Sequence, residues 1–119
     1  RQDRRGRIAR AEAMARTRIS AYLNCMIRHI VFFSLKDPAQ TPDVVAKLRR
    51  LGAIPGSTLF SVTPNTKSDL FGNEIDTVVY SEFPDLDALR AYKKHPTYTE
   101  VTSVVRPMRE LRFAADVEA

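Results

Sequence analysis

Two histidines and a run of phenols carry most of the chemistry this 119-residue chain can offer. The chain reads Tyr92-Lys93-Lys94-His95-Pro96-Thr97-Tyr98, so a histidine and two phenols converge within one short stretch. Proline fixes its own φ, lacks an N–H and disfavours helix in the residue before it. Pro96 therefore opens a new helix and His95 sits just outside it. Tyr92 falls on the last turn of the preceding helix and Tyr98 on the first turn of the next, so three polar rings can face one space. Imidazole exchanges protons near neutral pH. A phenol can hydrogen-bond a carbonyl or enolate oxygen while a histidine moves the proton. Tyr92 and His95 are accordingly the candidate catalytic residues. The other histidine, His29, alternates with Val31 and Phe33, so the three share one side of a strand. With Tyr98 they are the candidate pocket-lining residues.

Each of these residues also has an ordinary use. His29 can be a buried neutral histidine satisfied by one hydrogen bond. His95 can bond a free backbone group at the helix junction, and the two tyrosines can be core aromatics with their hydroxyls at the edge.

Other chemistries find little support. Two histidines and one peripheral cysteine give no spaced ligand set, so no metal is expected. Glu74/Asp76 and Asp85/Asp87 fall at a strand start and a helix start, where acids have structural reasons to be. Gly52 and Gly56 are turn residues without a phosphate-binding pattern, and no serine has nucleophile-elbow context. No cofactor is expected.

The elements that must hold these side chains can be read in order. Residues 27–35 alternate as a strand, with Ile27, His29, Val31, Phe33 and Leu35 on one face. Thr41-Pro42-Asp43 starts a helix with a capping hydroxyl, a proline at its first position and an acid in its first turn. Val44, Val45, Leu48 and Leu51 form its buried stripe, and Gly52 is its stop. Residues 57–63 and 74–83 are two more strands around a polar loop. Asp85 caps a helix carrying Leu86, Ala88, Leu89 and Tyr92 and ending in Lys93 and Lys94. Pro96 begins a β-branched helix with Tyr98, Val101, Val104 and Val105 inward, which packing must hold. Residues 110–117 are the last strand.

This order is βαββαβ, an α+β ferredoxin-like arrangement with a four-stranded antiparallel sheet and helices on one face. Ile30, Phe32, Phe60, Val62 and Val78 are expected to give the opposite face an apolar centre, which marks an interface. A homodimer packed sheet against sheet, forming a dimeric α/β barrel, is the economical solution.

Charge divides the chain in two. Residues 1–25 hold seven arginines against Asp3 and Glu12, whereas residues 26–119 hold twelve basic and twelve acidic side chains. The whole formal charge of +5 thus belongs to the N-terminal extension. The body exerts no general electrostatic pull on phosphates, and no nucleic acid is expected as a partner. The change of composition at Met26 puts residues 1–25 upstream of the natural domain start or in a leader, with a basic arm as the other reading. The single cysteine, Cys25, cannot close an intrachain disulfide, which fits a reducing compartment, and a cytoplasmic location is expected. No apolar run approaches the ~18 residues of a membrane span.

Three stretches resemble the stress-responsive α/β-barrel (Dabb) family of dimeric ferredoxin-like domains. They are Met26-Ile27-Arg28-His29-Ile30-Val31-Phe32-Phe33, then Asp85-Leu86-Asp87-Ala88-Leu89-Arg90-Ala91-Tyr92 with His95-Pro96, and the tail from Val104-Val105-Arg106-Pro107 through Phe113 and Asp116. The likeness spans residues 26–118. It implies a dimer with a small apolar cavity between helices and sheet. It also places this chain beside plant members that cyclise polyketides by aldol condensation, with a tyrosine followed by His-Pro-x-His. The tyrosine carries over to Tyr92, the first histidine to His95 and the strand histidine to His29. The second histidine, the catalytic base of those plant members, is Tyr98 here, and a phenol titrating near 10 is a poor base.

The expected function is a homodimer whose pocket binds a small apolar or aromatic, oxygenated molecule. Two alternatives stand beside it. One is a cofactor-free enzyme of the cyclase or monooxygenase type acting on an enolisable or polyphenolic substrate. The other is a structural, stress-protective dimer without ligand.

Overall fold

A computed structural model describes residues 25–119; the N-terminal extension, Cys25 apart, lies outside the described residues. Seven main elements follow in order: β1 (Ile27–Leu35), α1 (Thr41–Arg49), β2 (Leu59–Pro64), β3 (Thr77–Phe83), α2 (Leu86–Lys94), α3 (Pro96–Val105) and β4 (Arg109–Glu118). The strands form one sheet in the order β2-β3-β1-β4, and every neighbouring pair is antiparallel. This is the ferredoxin-like arrangement, with the helices on one face.

The alternation along β1 decides which face is buried. Ile27, His29, Val31, Phe33 and Leu35 are all buried, whereas Arg28 and Phe32 are exposed. Because side chains alternate strictly, this parity propagates across the sheet through the register. Val31 lies opposite Val79, which lies opposite Val62, so all three face the helices. Phe60, opposite Ser81, faces them too. Phe60 and Val62 therefore do not belong to the open face, where the sequence pattern set them. Leu59, Ser61 and Thr63 take that side of β2, and the apolar residues of the open face are Ile30, Phe32, Leu59, Val78, Leu111 and Phe113 with Val117.

The helix layer departs from sequence expectation in three places. The Thr41 hydroxyl does not cap α1; it donates backwards to the Pro38 carbonyl at 2.7 Å. A 3-10 turn over Pro38–Gln40, capped by the Asp37 carboxylate accepting the Ala39 N–H at 3.0 Å, leads into the helix instead. On α3, Val101 and Val105 are buried but Val104 is 45% exposed, because the stripe running through Tyr98, Val101 and Val105 leaves position 104 at its margin. Gly52 does more than end a helix. A Cβ there would meet the Phe60 ring at 2.9 Å, so the chain after α1 approaches β2 only because it lacks one.

Strand β3 begins at Thr77 rather than at residue 74. Just before it, the buried Asp76 carboxylate accepts the Leu35 N–H at 2.7 Å and the Lys67 ammonium at 2.6 Å. Asp76 thus ties the β2–β3 loop to the end of β1 by charge-assisted bonds.

At the other edge of β1 the ladder with β4 contains a bulge. Ser34 pairs with Leu111, but Leu35 pairs with Arg109, leaving Glu110 as the extra residue. The Ser34 hydroxyl accepts the Leu111 N–H at 3.1 Å beside it. A bulge of this kind re-aims the side chains on one side of it. Among the described residues, no helix is long and apolar enough to cross a membrane.

Candidate functional site

A cavity of about 260 Å³ lies between the helix layer and the sheet. The sheet contributes His29, Val31, Phe33 and Val79, while Leu48 and Leu51 close it from α1 and the turn that follows. Tyr92 enters from α2, and α3 adds Tyr98, Thr102 and Val105. Arg106, Arg109 and Arg112 complete the wall.

His29 is 2% exposed and stands directly opposite Asp116 in the β1–β4 register. Its Nδ1 lies 2.5 Å from Asp116 Oδ1. A carboxylate at Nδ1 holds the ring proton there and leaves Nε2 with its lone pair. Burial lowers the histidine's pKa below its ordinary 6.5, against the raising effect of the Asp116 hydrogen bond and charge; Lys93 and Arg112 push it further down. The ring is therefore neutral at pH 7. A neutral imidazole backed by a carboxylate is the arrangement of a general base.

Tyr92 packs at the centre of a ring cluster. Its centroid is 4.9 Å from Phe83, 5.3 Å from Tyr98 and 6.3 Å from His29. It is 1% exposed, and among the described residues no protein group hydrogen-bonds its hydroxyl. Burial, helped by the nearby Tyr98, raises its pKa well above the usual phenol value, so Tyr92 stays protonated and acts as a donor.

His95 has a different position. It is not among the cavity-lining residues, and its Nδ1 accepts the Thr97 N–H at 3.1 Å, capping α3. The three rings that share the space are thus His29, Tyr92 and Tyr98, brought together from β1 and two helices, with Val31 and Phe33 beside them. Among the described residues, no group of three or more histidine, cysteine or acidic side chains could hold a metal ion.

Two features of the site lie beyond the candidates read from sequence. The pairing of His29 with Asp116 needs the register between strands 87 residues apart. The arginines were hidden by the neutral sum of the body. Arg106-Pro107-Met108-Arg109-Glu110-Leu111-Arg112 does carry the signal, as three cations three residues apart. That spacing suits a helix face, and only the bulge lets a strand place Arg109 and Arg112 on the same side.

The stress-responsive A/B barrel domain family matches residues 27–119. The chain belongs to this family. Solved structures agree with the domain's fold. A Dabb family protein with a ferredoxin-like fold from Mesorhizobium loti is 26% identical, over 78% of this chain and 95% of its own, with a TM-score of 0.66. A dimeric ferredoxin-like protein from Thermobifida fusca is 25% identical, over 82% of this chain and 94% of its own, with a TM-score of 0.71. A dimeric protein of ferredoxin-like fold from Bacteroides fragilis, 24% identical over 79% of this chain and 96% of its own, shares the fold with a TM-score of 0.66. No curated protein matches this Dabb chain in sequence.

Proposed function

We propose that this Dabb protein is a homodimer in which each protomer holds a small, largely apolar, oxygenated molecule in the cavity under its helices. The observation that carries the reading is the Tyr92 hydroxyl: it belongs to a cavity-lining side chain that is 1% exposed, and it has no protein partner among the described residues. A buried polar group without a partner costs about 1–3 kcal/mol, and a ligand oxygen that accepts its proton removes that cost. Apolar walls with a few polar groups are the usual make-up of a small-molecule site. The homodimer is supported by the apolar open face, where Phe32, Leu59, Leu111, Phe113 and Val117 are between 37% and 55% exposed, and by the dimeric relative from Thermobifida fusca. A thermal-shift screen of oxygenated aromatic and aliphatic compounds tests the pocket. Compounds that raise the wild-type midpoint lose most of that shift in Tyr92→Phe; equal shifts in the two proteins remove Tyr92 from the site. If no compound shifts the wild type, the reading of a ligand-free structural dimer stands.

A second reading, a cofactor-free enzyme acting on an enolisable or polyphenolic substrate, is favoured by the His29–Asp116 pair. Nε2 of His29 takes the proton α to a carbonyl, Asp116 stabilises the imidazolium, and Tyr92 donates to the enolate oxygen. Deuterium exchange at the acetyl methyl of 2,4,6-trihydroxyacetophenone in D2O, followed by NMR, measures the first step alone. The wild type accelerates the exchange and His29→Gln abolishes the acceleration; equal rates in both sink this reading.

A further inference from the structure

Three arginines line a cavity whose other walls are apolar, phenolic or neutral. Arg106 follows α3 in a 3-10 turn, and Arg109 and Arg112 lie at the start of β4. Arg109 and Arg112 are three apart, so a regular strand would turn them to opposite faces. The bulge at Glu110 pairs Arg109 with Leu35 while Arg112 pairs with Phe33, and Leu35 and Phe33 both face the helices. The two side chains therefore share the cavity side, and both line it.

Among the described residues, none of the three forms an ion pair, although Arg50, Arg90, Lys47 and Lys67 all find carboxylates elsewhere. Burial, and the charges of Arg112 and Arg106, make the protonated form of Arg109 less favourable than in water. Like charges gathered at a partly desolvated cavity raise the free energy of the empty protein, and an anion bound among them lowers it.

We propose that the cavity's ligand is an amphipathic anion: a carboxylate or phosphate-monoester headgroup held by Arg106, Arg109 and Arg112, with an apolar body reaching toward Val31, Leu48 and Val79. This rests on the reading of the cavity as a small-molecule site and names the class of molecule it takes. Guanidiniums bind both headgroups through paired N–H donors.

Isothermal titration of the full chain with four probes separates the possibilities: 4-phenylbutyrate, its neutral amide 4-phenylbutyramide, phenyl phosphate and inorganic phosphate. At least one organic anion binds about tenfold more tightly than the amide. Arg109→Gln and Arg112→Gln each weaken that anion about tenfold while leaving the amide within about twofold. Preference for phenylbutyrate assigns a carboxylate headgroup, and preference for phenyl phosphate a phosphate monoester. An amide that binds as tightly as both organic anions, or anion binding unchanged in both arginine variants, overturns the anionic headgroup and leaves the cavity reading intact. Inorganic phosphate binding as tightly as phenyl phosphate overturns the apolar body. Failure of all four to bind the wild type overturns the proposal and the cavity reading together. Unchanged urea midpoints in the two variants show that a lost affinity is not a lost fold.

Discussion

A buried histidine with a carboxylate at its back and a buried phenol with nothing at its tip hold different positions in an acid–base scheme. His29 is kept neutral by burial, and the Asp116 bond fixes which nitrogen carries the proton. Tyr92 is kept protonated by burial, so it donates and does not abstract. If the site moves protons, the base form of His29 is the active one. Its pKa is lowered by burial, so the exchange rate is flat well above the lowered value and falls as the pH drops through it. A rate that goes on rising through pH 8 would point to a different base. The alternation of His29 with Val31 and Phe33 was enough to place these residues on the helix-facing side. Asp116 and the arginines could not be placed that way, because their positions depend on which residue of β4 lies opposite which residue of β1.

At the scale of elements, His95 shows how one ring can serve a helix rather than a reaction. Its Nδ1 satisfies the Thr97 N–H at the start of α3, a helix rich in Val and Thr that needs such support. His95→Ala is therefore expected to destabilise the protein by about 1 kcal/mol in urea unfolding and to leave ligand affinity unchanged. A loss of affinity without a loss of stability would return His95 to the site. The helix boundary itself was legible from Pro96, since proline dictates its own surroundings. The start of α1 was less so: the backward bond of Thr41 to Pro38 and the cap at Asp37 are rival local hydrogen bonds among neighbouring residues, and sequence does not rank them. The face assignment of β2 failed for a related reason. Alternation says which residues share a side but not which side is buried, and only the pairing of Val62 with Val79 settles that.

For the whole molecule, the apolar open face is the feature that supports the proposed homodimer. Phe32 and Phe113 lie opposite each other across β1 and β4, 37% and 55% exposed. A patch of this kind is stabilised when a second copy covers it. Phe113→Glu sets a charge where a second sheet would pack, and the proposed dimer is expected to become monomeric at micromolar concentration by light scattering. A variant that remains dimeric would show that another surface joins the protomers. The βαββαβ order was legible because each element carried its own period and its own boundary residues. The clustering of positive charge was not, because a neutral total conceals any local excess.

The bulge at Glu110 decides which charge stands beside Leu35 on the cavity side. Deleting that single residue would restore unbroken two-residue alternation past Ser34 with Arg109 still opposite Leu35, and the two arginines, then two positions apart, would keep the cavity side. Closing the bulge with Glu110 retained would do the reverse: the acid would take the place opposite Leu35, and Arg109 would turn out to the face that carries Phe113. In a chain of this design, the sign of the charge beside Leu35 hangs on whether one residue is looped out of the ladder or paired within it, a distinction that substitution scans would pass over.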